Sequence, residues 1–125
     1  MLKTIAGSWH QAKELKKAVK FYGMAAAVEN NGNLYYKQGQ LSFELENYKA
    51  AIKSLNKALA TDNFTKRDNA IMTIAQSHFY SDRFKSAYSM MKKAAAGKNK
   101  SVVKNAKLWL KHIKESAKTR KIAYK

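Results

Sequence analysis

The sequence contains no cysteine and no proline, and only five glycines among its 125 residues. Without cysteine there are no disulfides, no thiolate metal sites and no cysteine nucleophile, a composition that suits the cytoplasm and the periplasm equally. With no proline, little glycine and few runs of Val, Ile or Thr, the chain favours helix from end to end, because the abundant Ala, Lys, Leu and Gln lose least on entering one. All-β and collagen-like readings are excluded. No stretch reaches the roughly 20 apolar residues of a membrane span. The opening MLKTIAGSWHQAKELKK also lacks the continuous apolar segment of a secretory signal. A signal for export, if the parent protein has one, lies outside this chain, and the compartment stays open between cytoplasm and periplasm.

Acidic residues are scarce too. Eight Asp and Glu face 25 Lys and Arg, a net charge of +17, and the sequence pI near 10.1 points to an anionic partner or surface. Residues 1–62 hold nine basic and five acidic residues, whereas residues 63–125 hold sixteen basic and three acidic, so the excess sits in the second half. What the chain has is apolar content, 46%, enough for the core of one domain spanning 1–125 and too much for intrinsic disorder.

That apolar content is periodic. The segments LKKAVKFYGMAAAVEN, YKAAIKSLNKALATDN and FKSAYSMMKKAAAGKN superimpose at offsets of 33 and then 36 residues. Each opens on a large apolar residue (Leu15, Tyr48, Phe84), carries alanine three residues later (Ala18, Ala51, Ala87) and again after seven more (Ala25, Ala58, Ala94), and closes on asparagine (Asn30, Asn63, Asn99). Alanines seven apart share one helical face, where a missing side chain lets another helix approach, with Tyr22, Leu55 and Met91 filling the space between. A second amphipathic segment precedes each: LKTIAGSWHQA, YYKQGQLSFEL and IMTIAQSHFYS, with Ala6, Gly39 and Ala75 as the close-contact column. Short polar joints at Ala12 to Glu14, at Glu46 and Asn47, and at Asp82 and Arg83 suit antiparallel hairpins.

This pattern resembles the tetratricopeptide repeat, of bacterial type, with YYKQGQLSFELENYKAAIKSLNKALATDN as the best match. Gln38 stands in place of the family's leucine, Ser42 and His78 in place of its tyrosine, and asparagine in place of its closing proline. Asparagine tolerates the left-handed conformation that ends helices. The resemblance implies an all-α, right-handed α-solenoid of three helix hairpins, at about 1–31, 32–65 and 66–99, closed by a C-terminal capping helix at about 101–124. Because its first helix starts at the first residue, the chain reads as a domain excised from a longer protein.

Gly97, Lys98 and Asn99 read as a helix stop and Ser101 as the cap of the last helix. Its apolar stripe is Val103, Ala106, Leu110, Ile113 and Ala117; beside it run Lys104, Lys107, Lys111, Lys114, Lys118, Lys121 and Lys125. One face is expected to dock on the last repeat. The lysine face serves either as the polar back of a cap or as a stripe for an anionic partner. The segment NAKLWLKHIKESAKTR also resembles, through Trp109, Leu110, Ile113, Glu115 and Arg120, the terminal helix of bacterial tetratricopeptide proteins encoded beside TonB-type systems, which implies a periplasmic scaffold.

Chemistry is thinly represented. His10, His78 and His112 are scattered, with no HExxH, no cysteine partners and no carboxylate triad, so neither a metal nor another cofactor is expected. Ser8, Ser42, Ser77 and Ser89 lie in helical segments rather than at a nucleophile elbow, and AAAGKNKS lacks phosphate-loop spacing, so no enzyme activity is expected. What remains is binding. In tetratricopeptide-like stacks the first helix of each unit lines a concave groove. By alignment the resemblance puts there Lys3, Gly7 and His10; Asn33, Tyr36, Gln40 and Phe43; and Asn69, Met72, Gln76, Phe79 and Tyr80. Amides suit a peptide backbone and aromatics suit apolar anchors, while Phe43 and Phe79 read equally well as packing between helices. The family's carboxylate clamp is not expected, since only Lys3 fits while Gly7, Lys37, Asn69 and Thr73 occupy its other places. The expected function is therefore a non-catalytic scaffold for a protein, as a peptide or a partner helix. The competing reading is nucleic acid or an anionic membrane surface held by Lys104, Lys107, Lys111, Lys114, Lys118, Lys121 and Arg120 with Trp109 nearby. The terminal helix could also dock on a second copy.

Overall fold

The computed structural model describes residues 14–62 and 64–119. The expected first helix with Lys3, Gly7 and His10, the stop at Asn63, and Arg120, Lys121 and Lys125 lie outside the described residues. Every regular element among the described residues is helical: α1 (Leu15–Glu29), α2 (Gly32–Glu44), α3 (Tyr48–Leu59), α4 (Arg67–Tyr80), α5 (Phe84–Ala95) and α6 (Lys100–Thr119). The all-α class is the expected one; α2 packs on α3, and α4 meets α5 through Ala75, Phe79 and Phe84. None of these helices is long and apolar enough to cross a membrane. The chain forms two compact units that meet in sequence at Arg67 and Asp68.

In the first unit α1, α2 and α3 pack through the small residues of the repeat. Ala18, Ala25, Ala51 and Ala58 are at most 1% exposed, and Tyr22 and Leu55 fill the space between them. Gly39 of α2 lies against Leu55, where an added Cβ would come within 2.7 Å of the Leu55 side chain. Asn30 closes α1 in the left-handed region (φ 47°). Asn31 opens α2, its Oδ1 accepting from the Asn33 and Leu34 amides. Asn47 opens α3 by accepting from the Ala50 amide.

The hairpin joints share one device. Glu46 and Asp82 both sit at φ 61°. Behind Glu46, the Asn47 amide donates to the Ser42 carbonyl and the Glu46 amide to the Phe43 carbonyl; behind Asp82, the Arg83 amide donates to His78 and the Asp82 amide to Phe79. This is the Schellman arrangement, which satisfies carbonyls the helix end leaves open.

The second unit has its own core of Ala75, Phe84, Ala87, Met91, Ala94, Val102, Ala106, Ile113 and Ala117. Two expectations about α6 need correction. Its cap is Asn99, whose Oδ1 accepts from the Val102 amide, rather than Ser101, which lies inside the first turn. Val102, not Val103, enters the core, 4% exposed; Val103 turns half out. Gly97 also works differently from a left-handed stop, since no described glycine has positive φ. Asp68 Oδ2 accepts from the Lys98 and Asn99 amides at 2.8 Å each, and a Cβ on Gly97 would come within 2.7 Å of that carboxylate. Glycine is there to let Asp68 in.

Candidate functional site

In the first unit, α2 is split into two faces. Leu34, Gly39 and Leu41 go inward, which leaves Asn33, Tyr36, Gln40 and Phe43, spaced three, four and three apart, together on the other side. Asn33 is exposed and accepts from the Thr65 hydroxyl at 3.4 Å. The half-buried Tyr36 ring is tilted against Phe64 at 5.6 Å, and Phe64 itself is 6% exposed, so the Tyr36 ring is braced from behind. Gln40 is half-buried. Phe43 packs edge-on to Tyr48 at 5.5 Å, across the α2–α3 hairpin.

The residue before this face carries a network that sequence reasoning did not find. Gln38 donates from Nε2 to the Val19 carbonyl of α1 and accepts at Oε1 from the Ser54 hydroxyl of α3. Gly23 of α1 leaves the space its amide occupies. One polar side chain thus ties three helices, and no periodicity could have signalled it.

In the second unit, Asn69, Met72 and Gln76 of α4 are half-buried, with Met72 packed against the core. Phe79 sits at the centre of an aromatic cluster: Phe84, Trp109 and Tyr80 meet it edge-on at 5.3, 5.3 and 5.4 Å, and His112 is tilted at 5.2 Å. Of the two roles open to Phe79, the packing one is what this geometry displays. Tyr80 stays 49% exposed, edge-on to Trp109 at 6.1 Å. Trp109 and His112, one turn apart on α6 with ring centres 5.5 Å from each other, complete the cluster.

The α6 lysines Lys104, Lys107, Lys111, Lys114 and Lys118 are all exposed. Lys114 is partly engaged, because its Nζ and that of Lys92 both stand over the Tyr88 ring, at 5.6 and 5.8 Å. Of the clamp positions, Lys37 is exposed with its Nζ 5.7 Å from the centre of the Tyr22 ring, while Thr73 is buried and donates its hydroxyl to the Asn69 carbonyl.

No group of three or more His, Asp or Glu among the described residues could hold a metal. His78 is held below the ordinary histidine range, first by desolvation and then by the nearby Arg83 charge. Its Nδ1 is buried without a hydrogen-bond partner.

No protein-family model matches the chain, and no curated protein does. Among solved structures, that of PcrH in complex with the chaperone binding region of PopD is similar, with a TM-score of 0.77 over 92% of this chain and 90% of that one, at 16% identity. At that identity the likeness is one of fold, the tetratricopeptide-like helical hairpin.

Proposed function

We propose that this chain is a non-catalytic interaction module, one tetratricopeptide-like domain that takes a peptide or partner helix from another protein against the first helices of its hairpins. The observation that carries the reading is the fold likeness over nearly the whole chain to a protein solved with a bound segment of a second protein. The residues assigned to binding are Asn33, Tyr36, Gln40 and Phe43 on α2 in the first unit and, as a separate face, Asn69, Met72, Gln76 and Tyr80 on α4 in the second. Tyr36 and Tyr80 serve as apolar anchors, and the amides serve the partner's backbone. Phe79 belongs to the support behind Tyr80 rather than to the contact. A photo-crosslinking residue placed at Tyr36, at Gln76 or at Tyr80 should trap the protein that the intact chain captures, and the same residue at Lys53 of α3 or Lys85 of α5 should not. Equal trapping at all five positions overturns the assignment.

A second reading, retention of nucleic acid or an anionic surface along α6, draws support from the exposure of Lys104, Lys107, Lys111 and Lys118. Reversal of Lys107, Lys111 and Lys114 to Glu should then abolish retention on heparin, and unchanged retention rejects it.

A further inference from the structure

The start of α6 borders an open groove of about 600 Å³. Its apolar surfaces are Val103 and Leu108, and Leu108 is 63% exposed, one of the few large apolar side chains the fold leaves in solvent. Lys98, Lys100, Lys104 and Lys107, all exposed, line the same groove, and no acidic side chain is among its described lining. The Asp68 carboxylate behind Gly97 is committed to the Lys98 and Asn99 amides, so it holds the rim in place. What sets this stretch of α6 apart is that the same groove carries both apolar walls, Val103 and Leu108, and four lysines.

We propose that this groove docks an acidic peptide segment that carries a bulky apolar side chain, which seats between Val103 and Leu108 while its carboxylates meet the four lysines. The site lies on α6 and does not depend on the first-helix reading above. Charge complementarity selects the occupant. A phosphate backbone needs the lysines but gains nothing from the leucine. A membrane surface gains from a broad apolar helix face, whereas here two large apolar side chains stand among lysines. A second copy of this chain offers no matching segment, since no more than two of its eight acidic residues fall close together. Lys100, Lys104 and Lys107 step along one side of α6 about one turn apart, roughly 4.5–6 Å along the axis. A partner helix with one acidic residue per turn has that spacing.

The probe is a fluorescein-labelled peptide of glutamates around a central leucine pair, titrated by anisotropy against the intact chain. A control peptide has both leucines replaced by serine. The leucine peptide should bind, and Leu108→Ser should weaken it about tenfold, while the serine peptide binds weakly to both forms. Lys104→Glu with Lys107→Glu should abolish binding, and Lys111→Glu with Lys118→Glu, farther along the same helix, should cost much less. Circular dichroism confirms that each variant folds; exposure of all five positions makes that the expected result. Equal binding of the two peptides, or equal loss from the two charge-reversal pairs, overturns the proposal in favour of unspecific polyanion attraction. So does binding of phosphatidylglycerol vesicles or of oligothymidylate that shows the Leu108 dependence the peptide lacks. None of these outcomes bears on crosslinking at Tyr36, Gln76 or Tyr80.

Discussion

Gln38, Asp68 and His78 show how single side chains do work that their residue type does not announce. Gln38 has two helix partners, Val19 through its carbonyl and Ser54 through its hydroxyl. Asp68 closes the chain onto α4 only because Gly97 has no Cβ. His78 has the reverse situation: its Nδ1 is buried and unpartnered, and both desolvation and Arg83 disfavour the charged ring. Its folded-state pKa therefore lies below the value of about 6.5 it has when unfolded. As pH falls through that value the unfolded chain takes up the proton first, so this residue's contribution is intact above it and is lost progressively below it. The melting temperature should fall between about pH 7 and pH 5.5 by more in the wild type than in His78→Gln, and parallel profiles would show that His78 titrates normally.

At the scale of elements, α6 is more than a cover. Its Trp109 and His112 surround Phe79 of α4, while Val102, Ala106, Ile113 and Ala117 complete the core beneath α5. Phe79→Ala should therefore cost the second unit stability, toward the lower end of the roughly 3–5 kcal/mol typical of a core phenylalanine because the ring is only half-buried. Thermal melting followed at 222 nm reads this directly, and an unchanged midpoint would return Phe79 to the binding face. The α6 stripe was legible in the sequence at Ala106, Leu110, Ile113 and Ala117, since three-and-four spacing marks a buried face. It was not legible at its start. Val102 and Val103 are adjacent and equally apolar, and only the direction in which Asn99 launches the helix decides which of them goes inward.

Over the whole molecule, a charge of +17 works against compactness. Much of the second-half excess lies on α6, where Lys104, Lys107, Lys111, Lys114 and Lys118 are exposed and spaced so that neighbours repel, each like-charge pair costing about 0.2–0.5 kcal/mol. Raising sodium chloride from near zero to about 0.15 M, where the screening length is about 8 Å, should therefore raise the melting temperature. Lys111→Glu should reduce that salt dependence, because it replaces a repelling neighbour of Lys107 and Lys114 with an attracting one. A melting temperature that falls with salt would mean that favourable ion pairs outweigh the repulsion.

The sequence by itself determined the helical class, the joints at Glu46 and Asn47 and at Asp82 and Arg83, and the inward alanines. Those depend on local propensity and on a period of 3.6 residues, both of which are properties of a chain segment alone. It also set the polarity of the molecule, since the lysines of the second half are counted without folding anything. Only the tertiary structure decided that Glu46 and Asp82 take left-handed turns, that Gln38 is a tie between three helices, and that Phe79 is enclosed by Trp109 and His112 while Tyr80 is left half-exposed. Each of these depends on partners distant along the chain or on how a turn must close. The groove at Val103 and Leu108 is of the same kind: Gly97 and Lys98, ahead of the helix, line it together with residues up to two turns into α6, and no spacing of residues records where a loop lies against a helix.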